Sequence, residues 1–160
     1  MDELKLTKIT DATEEPVTLS EAKAFLRVSS NDEDTLITSL IKAARQLCED
    51  ISRRTFVTQT LEVTLDSWPT EPVILPLPPV ASITSVKYID FAGDEHTVPN
   101  TVYSLDGVKL FLAYGQAWPS ATLRPFAAVK VRYTAGFGAA SAVPDKYRHA
   151  VLLTLGHWFQ

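Results

Sequence analysis

Hydrophobic residues change their spacing several times along this chain, and each change marks an element. Ala22, Phe25 and Leu26 follow an i, i+3, i+4 rhythm, which places them on one face of a short helix. Thr18 and Glu21 have the spacing of a capping box, in which each side chain satisfies the other's free backbone N–H, so the helix is predicted from about Leu19 to Arg27. A longer stripe follows at Leu36, Ile37, Leu40, Ile41, Ala44, Leu47, Cys48 and Ile51, predicting a second helix from about Asp32 to Arg54. The acids of "SSNDEDTLI" belong to its start. Ser30 and Glu33 repeat the capping-box spacing, and carboxylates in a first turn lie against the positive end of the helix dipole. A calcium loop of the EF-hand kind would need a central glycine and a glutamate at its twelfth position, and neither is there.

From Phe56 the period becomes two. Val57, Gln59, Leu61, Val63 and Leu65 alternate with polar residues, as in a half-buried strand. "DSWPTEP" turns the chain. A short apolar segment then meets a corner at Pro76, Pro78 and Pro79 that no central strand could contain, and a strand near Ser82 to Asp90 follows. Ala92, Gly93 and Asp94 read as a hairpin tip, and Asp106-Gly107 as a two-residue turn between two more strands. Val129, Val131 and Tyr133 share one face of a last strand, which ends in a glycine-containing loop through Ser141. Beyond Pro144, which a first helical turn tolerates, Tyr147, Ala150, Val151, Thr154, Leu155 and Trp158 return to helical spacing. The expected fold is α+β: a helical core of two N-terminal helices and a C-terminal helix, with an inserted antiparallel β-rich region. One domain is expected over 1–160, with a helical part at 16–55, a β-rich insertion at 56–135 and the terminal helix at 143–160. No repeat or low-complexity segment interrupts it.

Composition narrows the function. A chain of 160 residues that is 46% hydrophobic can bury one sizeable core. No apolar run approaches a membrane span, and the mixed-charge opening "MDELKLTKITDATEEP" is unlike a signal peptide, so a soluble protein made inside the cell is expected, with no membrane partner. The single cysteine, Cys48, excludes an internal disulfide framework and a multi-cysteine zinc site. A net charge of −4 and the lack of a dense basic stripe disfavour sequence-reading nucleic-acid binding.

Catalytic constellations are missing as well. There is no phosphate-binding G-x-x-x-x-G-K-[ST] loop, no G-x-G-x-x-G and no G-x-S-x-G elbow. His149 and His157 are eight residues apart, about 12 Å in helical rise, too far to chelate one metal without a third element. Cys48 lies on the apolar stripe beside Leu47 and Ile51 and reads as a small buried hydrophobe. Trp68, Trp118, Trp158 and Phe159 read as core before interface. The acid pairs Glu14–Glu15 and Asp94–Glu95 read as solvated surface. No catalytic, cofactor-binding or metal-ligating residue is assigned, and no enzyme is expected.

Four segments carry a resemblance: "PVTLSEAKAFLRVSSNDEDTLITSLIKAARQLCEDISRRTFVTQTLEVTLDSWP", "ILPLPPVASITSVKYID", "VRYTAGFG" and "VPDKYRHAVLLTLGHWF". In order and spacing they resemble the head-to-tail connector (adaptor) proteins of tailed bacteriophages, prophages and gene transfer agents, over roughly Pro16 to Phe159. The resemblance implies a non-enzymatic virion protein of the particle neck, made in the bacterial host cytoplasm. It also implies a ring, typically of twelve copies, that joins the portal of the DNA-filled head to the tail or a tail-terminator or stopper protein. DNA would pass through without sequence-specific binding, and no cofactor is implied. The alternative is a soluble protein-binding module or transient assembly factor that acts as a monomer. Similar proteins often continue past the "HWF" position with a polar, charged tail, whereas the sequence stops at Gln160; portal docking through such an extension is not expected unless the terminal helix itself serves.

Heterologous contacts between identical subunits close into a ring when the rotation permits. Expected contact residues are the hairpin tips at Phe91, Gly93, Asp94 and Asp106, the loop at Phe137, the exposed side of the long helix at Arg45, Glu49 and Arg53, and Trp158 and Phe159 near the C-terminus. Because the subunit is acidic, the channel of such a ring is expected to be acidic or neutral, so that it does not grip DNA phosphates.

Overall fold

A computed structural model of the chain describes residues 4–160; Met1 to Glu3, at the head of the mixed-charge opening, lie outside the described residues. The elements run β1 (Lys5–Thr10), α1 (Leu19–Leu26), α2 (Asp34–Ser52), β2 (Gln59–Leu65), β3 (Val73–Ile74), β4 (Val80–Ile89), β5 (Glu95–Thr97), β6 (Tyr103–Asp106), β7 (Lys109–Leu112), β8 (Val129–Ala135) and α3 (Asp145–Trp158). Three helices with antiparallel sheets between them make the α+β fold that the spacing implied. The chain divides into two compact units, a β unit (residues 4–11 and 59–135) and a helical unit (12–58 and 136–160).

In the helical unit α2 packs on α3 and α1. Its core joins Ile37, Ile41 and Ala44 of α2 to Ala22 of α1, Val151 and Leu155 of α3, and Val17, Phe56, Val57 and Val143 of the connecting segments. The capping box at α1 forms as predicted, with the Glu21 N–H donating to Thr18 Oγ1 at 3.1 Å and the Thr18 N–H to Glu21 Oε2 at 2.9 Å. The one predicted for α2 does not form. That helix begins at Asp34 with Glu33 as a cap that makes no side-chain hydrogen bond. Ser30 Oγ accepts the Asp32 N–H at 3.1 Å instead, and the Asp34 carboxylate lies 2.8 Å from Lys23 Nζ.

The β unit holds a five-stranded sheet in the order β1-β2-β8-β4-β5 and a three-stranded sheet β3-β7-β6. β8 is the central strand of the larger sheet and pairs with β2 from Gln59 opposite Ala135 to Leu65 opposite Val129; both alternate strictly between buried and half-buried residues. The buried set, Leu61, Val63, Val129, Val131 and Tyr133, meets Val73, Leu75 and Leu110 of the smaller sheet and its approach. Tyr133 brings a hydroxyl into this core, where it donates to the Pro76 carbonyl at 2.6 Å and burial pushes its pKa up. Trp68 and Trp118 stack at 5.1 Å and pack against the core half-buried, and Trp118 Nε1 donates to the Pro69 carbonyl at 3.1 Å.

Two details differ from the sequence expectation. The turn between β6 and β7 is Gly107-Val108, one residue later than Asp106-Gly107: Asp106 pairs with Lys109, and Gly107 takes the positive φ, 59°, that a tight hairpin asks of its first central residue. β1 was not expected. "KLTKIT" is exposed along its whole length and carries little apolar signal, so its place depends on backbone pairing with β2 from Lys5–Thr64 to Thr10–Thr60.

Candidate assembly interface

The side chains of α2 lie in two adjacent apolar stripes, and only one of them is core. Ile37, Ile41 and Ala44 point inward. Leu36, Leu40, Leu47 and Ile51, about a quarter-turn away at 100° per residue, are exposed or half-buried, and Ile51 is 75% exposed. The continuous stripe in the sequence merged the two.

Arg45 and Glu49 are corrections. They belong to the interior and not to an exposed helix side, Arg45 being 0% exposed and Glu49 7%. Arg45 Nη1 donates to Glu49 Oε2 at 2.9 Å, while its Nε and Nη2 reach the Glu15 carboxylate. Glu49 Oε1 in turn accepts the Phe56 N–H at 2.8 Å. A guanidinium has five donors in a fixed fork, and the Glu15 and Glu49 carboxylates accept from it, while the Phe56 N–H satisfies the other oxygen of Glu49, so that these charges can sit inside the unit. The segment carrying Glu15 is tied on both sides: Glu14 Oε1 accepts the Ala140 N–H at 2.7 Å, and the Pro16 carbonyl accepts Arg148 Nε at 3.0 Å. Glu14 and Glu15 are thus structural ties and not merely solvated acids. Their signal lay in a partner, Arg45, thirty positions away, which spacing cannot reveal.

Arg148 also binds Glu21 Oε1 at 2.6 Å, joining α3 to the capping box of α1. The Thr18 N–H, and then Arg148, hold the Glu21 carboxyl below its ordinary pKa. Cys48 is half-buried, its Sγ 3.5 Å from Thr154 Oγ1. Among the described residues no group of three His, Cys, Asp or Glu could hold a metal, and no helix is long and apolar enough to cross a membrane.

The other anticipated contact residues are spread over both units. Arg53 caps α2 in the left-handed conformation, φ 53°, and is exposed. Phe137 is half-buried and tilts against Tyr147. Trp158 and Phe159 border a shallow cleft of about 310 Å³ with Glu33, Leu36, Leu40 and Gln160, which extends the exposed α2 stripe toward the end of α3. In the β unit Phe91 is 73% exposed at the β4–β5 tip beside Gly93 and Asp94, and Asp106 is exposed at the β6–β7 tip. That first tip is held by Asp90, which accepts the Asp94 N–H at 3.0 Å and pairs with His96 at 2.7 Å; His96 in particular keeps the Asp90 carboxyl below its usual range. Sequence reasoning missed Leu36, Leu47 and Ile51 as surface, and also Tyr114 and Phe126, exposed aromatics in the long β7–β8 connection. An aromatic in a Pro- and Gly-containing loop is the one signal that could have flagged the last two.

The comparisons with known proteins bear on the family and the fold. The head completion protein (HCP) family matches residues 15–160. The chain belongs to the head completion protein family. Head completion proteins are structural, and this one is not an enzyme. The fold is similar to that of a chain in the neck of an empty gene transfer agent (GTA) particle computed with C6 symmetry: TM-score 0.82, 25% identity, 97% of this chain and 83% of that chain covered. A chain in the neck of a native GTA particle computed with C12 symmetry matches at TM-score 0.81 and 24% identity, over 97% of this chain and 82% of that one. A chain in the virion of a native GTA particle matches at TM-score 0.81 and 24% identity, over 96% and 83%. No curated protein sequence matches the chain.

Proposed function

We propose that this head completion protein is a ring-forming subunit in the neck of a phage-like or gene transfer agent particle, where it joins the portal to the tail side and leaves a passage for DNA. The observation that carries the reading is the likeness, over nearly the whole chain, to neck chains whose assemblies were computed with C6 and C12 symmetry. Twelve copies is the ring size we propose, and the two units together serve as one connector domain.

The exposed α2 stripe supplies the ring contact. A ring needs a heterologous surface, one patch of each copy against a different patch of the next. Leu36, Leu47 and Ile51 are exposed apolar residues of α2, and Trp158 and Glu33 border the cleft beside Leu36, in keeping with the apolar-centre, polar-rim anatomy of protein interfaces. The tips at Phe91, Gly93, Asp94 and Asp106, with Phe137 and Phe159, are left for portal or tail components.

Electron microscopy of the purified chain mixed with the portal of the same particle tests the reading. Twelve-fold rings seated on the portal are expected. A chain that stays monomeric beside intact portals would show instead a transient assembly factor.

A further inference from the structure

The five-stranded sheet has a second face, and its charge runs against that of the protein. Side chains directly opposite one another on paired strands share a face. The registers Lys5–Thr64, Thr64–Lys130, Lys130–Lys87 and Lys87–Thr97 therefore line up one row across all five strands, with three lysines in it. The next row is Thr7, Glu62, Arg132 and Ser85, and the one after it Thr10, Thr60, Thr134 and Ser82. Across these rows every side chain is polar.

Among the described residues four cations face two carboxylates, and both carboxylates are engaged. Glu62 Oε2 is 3.0 Å from Arg132 Nη2, and Glu95 Oε1 is 3.2 Å from Lys87 Nζ. Lys5 and Lys130 pair with no carboxylate among the described residues. Lys130 and Lys87 stand directly opposite each other, where like charges are destabilising. Glu95 registers the resulting field: Lys87 first, and Lys130 and Arg132 after it, hold its carboxyl below the ordinary value. The heads remain in solvent, the side chains of Lys87 and Arg132 being 40% and 41% exposed. A chain of net charge −4 thus keeps a positive, hydroxyl-studded face on one sheet.

We propose that this face is a sequence-independent docking surface for the phosphate backbone of double-stranded DNA. Lysine, arginine and threonine or serine hydroxyls are the groups that contact phosphate oxygens, and they carry no base readout. Among the described residues these rows expose no apolar side chain, and Ile89, opposite Glu95 in the next row, is buried; this decides against an acidic protein partner, because protein interfaces keep an apolar centre, whereas DNA interfaces are more polar and strongly positive. A DNA-contacting face also departs from the acidic or neutral channel that net charge alone suggests. The inference does not need the ring, since the whole face lies within one β unit.

Nuclear magnetic resonance titration of the full chain with a short random-sequence duplex at low salt tests it. Shift changes are expected to cluster on β2, β8 and β4 around Glu62, Thr64, Lys87, Lys130 and Arg132, and to vanish as salt is raised. The K87Q/K130Q variant is expected to bind about tenfold more weakly with a shallower salt slope, while K109Q/K146Q, with the same net charge, binds like the parent. No shifts on this face, an equal loss in K109Q/K146Q, or equally tight binding of poly-L-glutamate would overturn the proposal.

Discussion

The two units solve the placement of charge in opposite ways. The helical unit buries an arginine and a glutamate and leaves three apolar residues of α2, Leu36, Leu47 and Ile51, toward solvent; the main sheet of the β unit buries apolar side chains with the uncharged Tyr133 and Gln59 and turns its charges outward. The strands β2 and β8 follow strict alternation, and their buried faces are covered within the unit. The α2 helix carries a wider apolar surface than its own neighbours cover. That surplus is the surface we propose for the contact with a neighbouring copy.

Substitutions sharpen this contrast, beginning with charge. Arg45→Met removes the cation beside the buried Glu49 carboxylate and is expected to cost about 3–5 kcal/mol in urea unfolding. Arg132→Met, which removes an exposed partner of Glu62, should cost at most about 1 kcal/mol. Equal losses would erase the distinction between the two units.

The apolar comparison comes next. Leu61→Ala in the β core is expected to cost about 2–5 kcal/mol, whereas Ile51→Ser on the outer stripe should change monomer stability by no more than about 0.5 kcal/mol while impairing ring formation on the portal. A backbone test follows in size. Gly136 sits at φ 122°, and a Cβ there would come 2.7 Å from the Thr58 backbone nitrogen, so Gly136→Ala should lower stability by more than about 1 kcal/mol.

The smallest expected effect is in acid. Because the pKa of Glu21 is lowered in the folded chain, its contribution is present above the ordinary value of 4.5 and is lost as pH falls through the lower folded value. Thermal melts should show Glu21→Gln already weakened at neutral pH and less sensitive than the parent to acidification below that value. An unchanged acid limb would mean that the Thr18–Glu21–Arg148 tie contributes nothing.

The strands were legible because alternation ties each residue to a face: Leu61, Val63, Val129 and Val131 fell where their pattern placed them. The first cap was legible because both partners, Thr18 and Glu21, are local. Sequence could not show which part of the α2 stripe becomes core, since that depends on a charge network linking Arg45 to Glu15 and Phe56 and on the packing of α1 and α3. For the same reason Arg45 and Glu49, polar residues on a helix, read as surface. β1 escaped notice because an exposed edge strand has almost no apolar pattern. The cationic sheet face became visible only through register, which brings Lys5, Lys87 and Lys130 from three separate segments into one row.

A cryo-electron microscopy map of the assembled neck bears most directly on the account. It is predicted to show Leu36, Leu47 and Ile51 of each copy buried against a different surface of the next copy around a closed ring. A closed ring in which those three side chains remain in solvent would contradict it.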